Sequence, residues 1–222
     1  MDAETGSTGG DAAVPLGEIG LFPLHNVLFP DGLLQLRVFE ARYLDLMSAC
    51  LRERRPFGVV ALRKGSEARG GPDDAQGTEL ERIGTLAELI EVDAAEFGIL
   101  QVRCRGMRRF ELRSQAQRAN GLWVGDAVLL PEDGADDDAP PQPAVAAAVQ
   151  ALRDAVATLA ADGIETVLEP SRYDSAGWVA DRWCELLPFS VATRQRLLEL
   201  RDGPGRLALV TAFLRRQGVI DP

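Results

Sequence analysis

The chain has 222 residues, 46% of them hydrophobic, with 34 acidic against 24 basic side chains, one histidine and three cysteines. That is enough apolar material for a core without stapling, and no apolar run approaches the ~18 residues of a membrane span. Cys50, Cys104 and Cys184 are odd in number and far apart, which argues against a disulfide framework or a Cys-x-x-Cys redox or zinc site.

The net charge of -10 is local. Residues 1–20 and 131–140 hold nine acids and no basic residue, which leaves 25 acids against 24 Lys and Arg elsewhere. A near-neutral body does not read as a steered nucleic-acid binder. Residues 1–16, mostly Gly, Ser, Thr, Ala and acid, are expected to be a disordered acidic tail. They lack the basic end and apolar stretch of a signal peptide, so the expected location is the cytoplasm, with no membrane involvement.

From Gly17 the pattern turns to strands. Leu34, Leu36 and Val38 alternate with Gln35 and Arg37, the period-two signature of a half-buried strand. Glu40 to Arg54 then carries Tyr43, Leu44, Met47 and Leu51 at helical spacing. Phe57 to Leu62 reads as a buried strand, and Lys64 to Thr78 as a Gly/Pro/acid surface loop long enough to be a mobile flap. Strands are predicted over Ile83–Val92, Phe97–Arg105, Met107–Ser114 and Leu122–Leu130, separated by Asp93–Glu96, Gly106 and Asn120-Gly121. Short strands with turns between them suggest a small closed or rolled sheet.

The composition changes to acid and proline over 132–143, which is read as a linker. Beyond it the pattern is helical. Ala144 to Ala161 has Val145, Val149, Leu152, Val156 and Leu159 on one face. Asp174, Ser190 and Asp202 are expected N-caps of three further helices, with Gly218 stopping the last.

Gly20 to Met47, GLFPLHNVLFPDGLLQLRVFEARYLDLM, resembles the opening of the Lon protease N-terminal (substrate-binding) domain family, in which a Leu-Phe-Pro-Leu segment passes through a Leu-Phe-Pro-Gly-like turn and a strand into Phe-Glu-x-Arg-Tyr. The matching residues are Leu21 to Leu24, Leu28 to Gly32, and Phe39, Glu40, Arg42 and Tyr43; Asp31, between Pro30 and Gly32, is a departure. Arg55-Pro-Phe-Gly-Val-Val60, Ile83-Gly-Thr-Leu-Ala87, Gly106-Met-Arg-Arg-Phe110, Glu185-Leu-Leu-Pro188 and Arg196-Leu-Leu-Glu-Leu200 continue the likeness over roughly 17–218. It implies an α+β fold: a PUA-like β pseudo-barrel with one inserted helix over 17–131, then an α-helical bundle over 144–222. The family's ATPase and peptidase parts are not found in this sequence. There is no G-x-x-x-x-G-K-[ST] phosphate cradle, and the only lysine, Lys64, sits in a Gly-rich loop that cannot readily lower its pKa. The resemblance therefore implies the recognition domain alone.

Among polar constellations, Arg103 to Arg113 is read as a hairpin whose outer face carries Arg103, Arg105, Arg109 and Arg113, with Arg108 turned inward and needing an acidic or carbonyl partner. Such forks suit carboxylates or phosphates, but charged strand faces are usually just solvated, and that plainer reading is preferred. His25 has no companion for a metal or nucleophile site, and the acidic pairs lack calcium-loop spacing. Glu40 and Arg42 fit a helix-start carboxylate and an ion pair rather than acid-base chemistry. Phe39, Tyr43 and Phe57, with Trp178 and Trp183, read mainly as packing, although some could line a groove between sheet and helices. The expectation is a non-enzymatic, cofactor-free module that binds unfolded polypeptide or a protein partner, with Phe39, Tyr43, Phe57, Arg103, Arg105, Arg109 and Arg113 as candidate contacts. The alternatives are a PUA-like RNA or nucleotide binder and an enzyme of unrecognised type. No motif specifies a ligand or an oligomeric state.

Overall fold

A computed structural model describes residues 14–65, 67, 77–131 and 145–221. Most of the predicted tail (1–13), most of the Lys64 to Thr78 loop and the whole 132–143 linker therefore lie outside the described residues. Seven strands, β1 (Val14–Leu24), β2 (Leu33–Val38), β3 (Phe57–Lys64), β4 (Glu79–Leu80), β5 (Ile83–Glu96), β6 (Ile99–Gln117) and β7 (Trp123–Leu129), form one mostly antiparallel sheet. Helix α1 (Ala41–Glu53) lies between β2 and β3. Then come α2 (Ala146–Ala161), α3 (Ala176–Leu186), α4 (Val191–Glu199) and α5 (Gly203–Arg216). No helix of the described residues is long and apolar enough to cross a membrane.

The strand pairings run β1–β7–β6–β5–β3 and close on themselves because Leu21–Leu24 of β1 pair in parallel with Gly58–Ala61 of β3. β4 hangs on β3 and β2 on β6. One core inside the sheet, under α1, is built from Phe22, Met47, Phe57, Val59 and Cys104. A second gathers Leu21, Val60, Phe110 and Leu112. A third belongs to the helices, with Leu152, Trp178, Trp183, Leu198 and Leu214, and takes in Val27, Phe29 and Ala61 from the sheet side. Each fully buried large side chain contributes about 1.5–3 kcal/mol of hydrophobic stabilisation. The three cysteines are free and buried.

Several boundaries differ from the sequence reading for physical reasons. β1 begins at Val14, inside the expected tail, because Val14 and Pro15 pair with Leu129 and Val128. Asp93–Glu96 do not separate strands. β5 continues to Glu96 and the turn is Phe97-Gly98, with Gly98 at φ 76°, a conformation that glycine adopts without steric cost. Gly106 is not a turn either, since β6 runs unbroken for 19 residues, so the Arg103 to Arg113 hairpin is one continuous strand. Ser175, not Asp174, caps α3, accepting from the Trp178 N–H; Ser190 and Asp202 cap α4 and α5 as expected.

What Gly106 does is admit a turn. Phe29-Pro30-Asp31-Gly32 closes with a 3.0 Å bond from the Gly32 N–H to the Phe29 carbonyl, and Asp31 has φ 57°, the left-handed third position expected when proline stands second. The turn docks on β6 through the Asp31 N–H to the Gly106 carbonyl (2.8 Å) and the Gly106 N–H to the Gly32 carbonyl (2.9 Å). A Cβ on Gly106 would collide with the Phe29 carbonyl oxygen. The Thr85 hydroxyl donates to the Leu28 carbonyl (2.6 Å), and Arg182 of α3 donates to the Pro30 carbonyl (2.8 Å).

Two outcomes follow from this packing. Gly106→Ala should destabilise the protein by about 1–3 kcal/mol, read as a lower urea midpoint with an unchanged slope. Phe57→Ala, at a side chain with no exposed surface, should cost about 3–5 kcal/mol. A small loss of stability there would contradict its place in the core.

Candidate functional site

The Phe29–Gly32 turn delivers the chain directly into β2, whose register on β6 runs from Leu33 opposite Arg105 to Val38 opposite Leu100. Further along the same side of β6, β7 takes over as partner, from Phe110 to Gln117. β7 is in turn covered by β1, but β2 has β6 alone as its ladder partner among the described residues. In an antiparallel pair, alternate residues direct their N–H and C=O groups away from the partner strand. β2 therefore presents an edge to which another extended chain can add.

Among the described residues, three grooves adjoin this strand, and Gln35 borders all three. The largest, about 450 Å³, is polar and lies over the outer face of β2, β6 and β5, between Arg37, Glu91, Asp93 and Arg103. A second, about 340 Å³, runs between sheet and helices: Leu28, Leu33 and Leu34 form one wall, Thr166, Glu185 and Arg194 the other. The third, about 230 Å³, lies at the far end of the strand among Phe22, Leu36, Val38, Phe39, Glu40 and Tyr43. Alternation explains the lining: Leu34 and Val38 are buried, and Gln35 and Arg37 are exposed.

The candidate side chains separate. Phe39, just past β2, is 61% exposed and borders the third groove. Tyr43 also borders it but is buried, stacked on Phe22 with ring centroids 4.2 Å apart and with the Arg42 guanidinium 4.6 Å from its ring. Burial pushes its phenol up to about 12. Phe57 is wholly core.

The four arginines do not share one outer face. Arg103 is held by two carboxylates of the chain itself, Glu91 and Glu165, each at 2.5 Å. Arg105 donates to the Glu169 carbonyl (3.1 Å). Both bind the segment between α2 and α3 to the sheet, helped by Arg172, 3.4 Å from Asp31. Arg109 is buried, donating to the Leu198 and Leu200 carbonyls at the end of α4. It points away from Phe110 as alternation requires, but the helices cover that face. Arg113 is exposed and paired with Glu111 at 3.3 Å. Arg108 finds its carbonyl partner in Leu130 (2.9 Å).

Residues not singled out from sequence carry much of the site: Gln35 and Leu36 on the strand, and Thr166, Glu185 and Arg194 on the helical wall. Glu185 forms a two-pronged pair with Arg182 (2.7 and 2.9 Å). Burial pushes its carboxyl up, and the guanidinium opposes that. Arg194 is anchored on the Asn26 side-chain oxygen (2.7 Å) and the Leu187 carbonyl (3.0 Å). Alternation and cap signals identify strands and helices, but nothing local marks which strand ends up at an edge.

Residues 18–216 match the family model described as ATP-dependent protease La (LON) substrate-binding domain. The chain is 25% identical over 211 residues to Lon protease of Phenylobacterium zucineum (strain HLK1), covering 95% of this chain and 26% of that protein. It is 26% identical over 207 residues to Lon protease 2 of Syntrophobacter fumaroxidans (strain DSM 10017 / MPOB), covering 90% and 24%. The chain thus spans about a quarter of the length of these curated relatives. Among solved structures it resembles a Lon N-terminal domain protein from Xanthomonas campestris, with TM-score 0.66 and 32% identity, over 89% of this chain and 98% of that one. The N-terminal domain of a Mycobacterium avium complex Lon protease has the same fold at 15% identity and TM-score 0.54, over 87% of this chain and 95% of that one. With the family model matching residues 18–216 and a 32% identical Lon N-terminal domain structure covered over 98% of its length, the chain belongs to the Lon substrate-binding domain family.

Proposed function

We propose that this protein is a polypeptide-recognition module without catalytic activity of its own, which takes extended segments of substrate proteins by strand addition to β2. The observation that carries the reading is the edge of β2, paired on one side only among the described residues and flanked by grooves of about 340 and 230 Å³. Main-chain hydrogen bonds along the edge would supply sequence-tolerant affinity, and alternate side chains of the bound segment would enter the grooves on either side. Leu33, Leu34 and Leu36 offer apolar surface there, and Phe39 an uncovered ring. Arg103 and Arg105 act as stitches within the chain and not as receptors for substrate carboxylates.

The architecture supporting this reading is a PUA-like pseudo-barrel subdomain over 17–131 and a helical bundle subdomain over 144–222, joined by the acidic, proline-rich 132–143. The segment between α2 and α3 forms part of the groove wall. A cytoplasmic setting suits a recogniser of unfolded chains, and the near-neutral body argues against nucleic acid as the ligand.

A fluorescent peptide of alternating apolar and polar residues should bind with weak, micromolar-range affinity that is largely insensitive to salt. The same peptide N-methylated at alternate residues should bind at least about tenfold more weakly in one of the two methylation phases, since the lost donors are those facing β2. Equal binding by both methylated forms would contradict strand addition. Binding confined to single-stranded RNA at low salt would overturn the reading as a whole.

A further inference from the structure

The third groove differs from the other two in how its charges are matched. In the groove against the helices, Glu185 is gripped by Nε and Nη2 of Arg182, and Glu165 is taken by Arg103. At the Phe39 end, Glu40 and Glu67 border the groove together with Arg37, and Arg42 behind them takes the Glu40 carboxylate and the main-chain carbonyl of Glu67. Arg42 is itself buried, and its donors are spread over the Gly121 carbonyl (2.8 Å), the Glu67 carbonyl (3.2 Å) and one oxygen of Glu40 (2.9 Å). The Glu67 side chain accepts from the His25 N–H rather than from a cation. Glu40 engages Arg42 through Oε2, borders the groove and is 22% exposed. Beside them stands the Phe39 ring, 61% exposed, over a floor of Phe22, Leu36 and Val38.

An exposed aromatic ring next to two carboxylates, one holding a buried guanidinium by a single oxygen and the other accepting from a backbone N–H, suits a long side chain with an apolar stem and a positive tip. Resting on the proposed function, we infer that this groove selects a lysine or arginine in the bound polypeptide, with its stem against Phe39 and Leu36 and its charge at Glu40 and Glu67. Arg37 also borders the groove, two residues back along the strand, so the incoming cation belongs at the Phe39 end. The substrate class is therefore an extended apolar segment carrying one basic residue, in preference to one carrying an acidic residue.

The test is a set of three labelled peptides, identical except for lysine, norleucine or glutamate at one position, with that position moved along the peptide in steps of one residue. At the best placement, lysine should bind about fivefold more tightly than norleucine, and glutamate should be the weakest, with the differences shrinking at 0.5 M salt. E40Q and E67Q, singly and together, should collapse the lysine-to-glutamate ratio toward one, and R37Q should widen it; position 67 lies outside every helix and strand, and E67Q keeps a side-chain oxygen that can accept from the His25 N–H. Norleucine binding as tightly as lysine at every placement, or a ratio that survives the double substitution, would overturn the inference while leaving strand addition standing. Binding by none of the three peptides would overturn both.

Discussion

The structure depends on the grip that β6 has on one four-residue turn. Gly106 both accepts from Asp31 and donates to Gly32, and it can do so only because no side chain stands between it and the Phe29 carbonyl. Thr85 from β5 and Arg182 from α3 close on the same turn from two other directions. This contact sets where β2 begins, and so its register on β6 and which end of its edge meets which groove. It also places Phe29 in the helical core, so sheet and helices are joined through the segment that positions the candidate site.

That junction is built largely from buried guanidinium groups. Arg109 and Arg182, 4% and 1% exposed, cross between sheet side and helices, and Arg206, 1% exposed, ties the helices behind them together. Arg109 reaches Leu198 and Leu200, Arg182 reaches Pro30 and Glu185, and Arg206 reaches Leu200 and Asp181, with 2.8 Å to the latter. A buried charge is tolerable when it is paired and hydrogen-bonded, and removing one partner costs far more than the pair contributes. Lysine is a poor substitute, because its ammonium lacks the planar, fixed fork that holds two acceptors at once in a set geometry. With 23 arginines to one lysine, the chain has the residue type that this joint requires, and Arg103 and Arg105 extend the same logic to the outer segment between α2 and α3.

Local signals in the sequence located most elements. The alternation through Leu34, Leu36 and Val38 gave β2 its inside and outside, the spacing of Tyr43 and Met47 placed α1, and Ser190 and Asp202 capped the helices that they precede. Where the reading departed, the cause was non-local. Gly106 has the composition of a turn but serves a close approach from a segment more than seventy residues earlier. Arg109 keeps its outward phase yet is buried, because α4 arrives over it from ninety residues later. The edge of β2 is the deepest case. Its sequence is that of any half-buried strand, and its lack of a second partner among the described residues arises from β7 stopping short along β6 and pairing onward to β1. Phe39, Tyr43 and Phe57 show the same limit, since three aromatics with similar sequence settings end up exposed, buried beside a groove and wholly in the core.

The most direct test is residue-resolved amide hydrogen exchange of the whole protein with and without a saturating apolar peptide. Strand addition requires protection to rise at alternate residues of Leu33–Val38, those facing away from β6, while their neighbours, already bonded to β6, change little. Protection that appears elsewhere on the protein, with β2 exchanging as it does in the free state, would contradict the account.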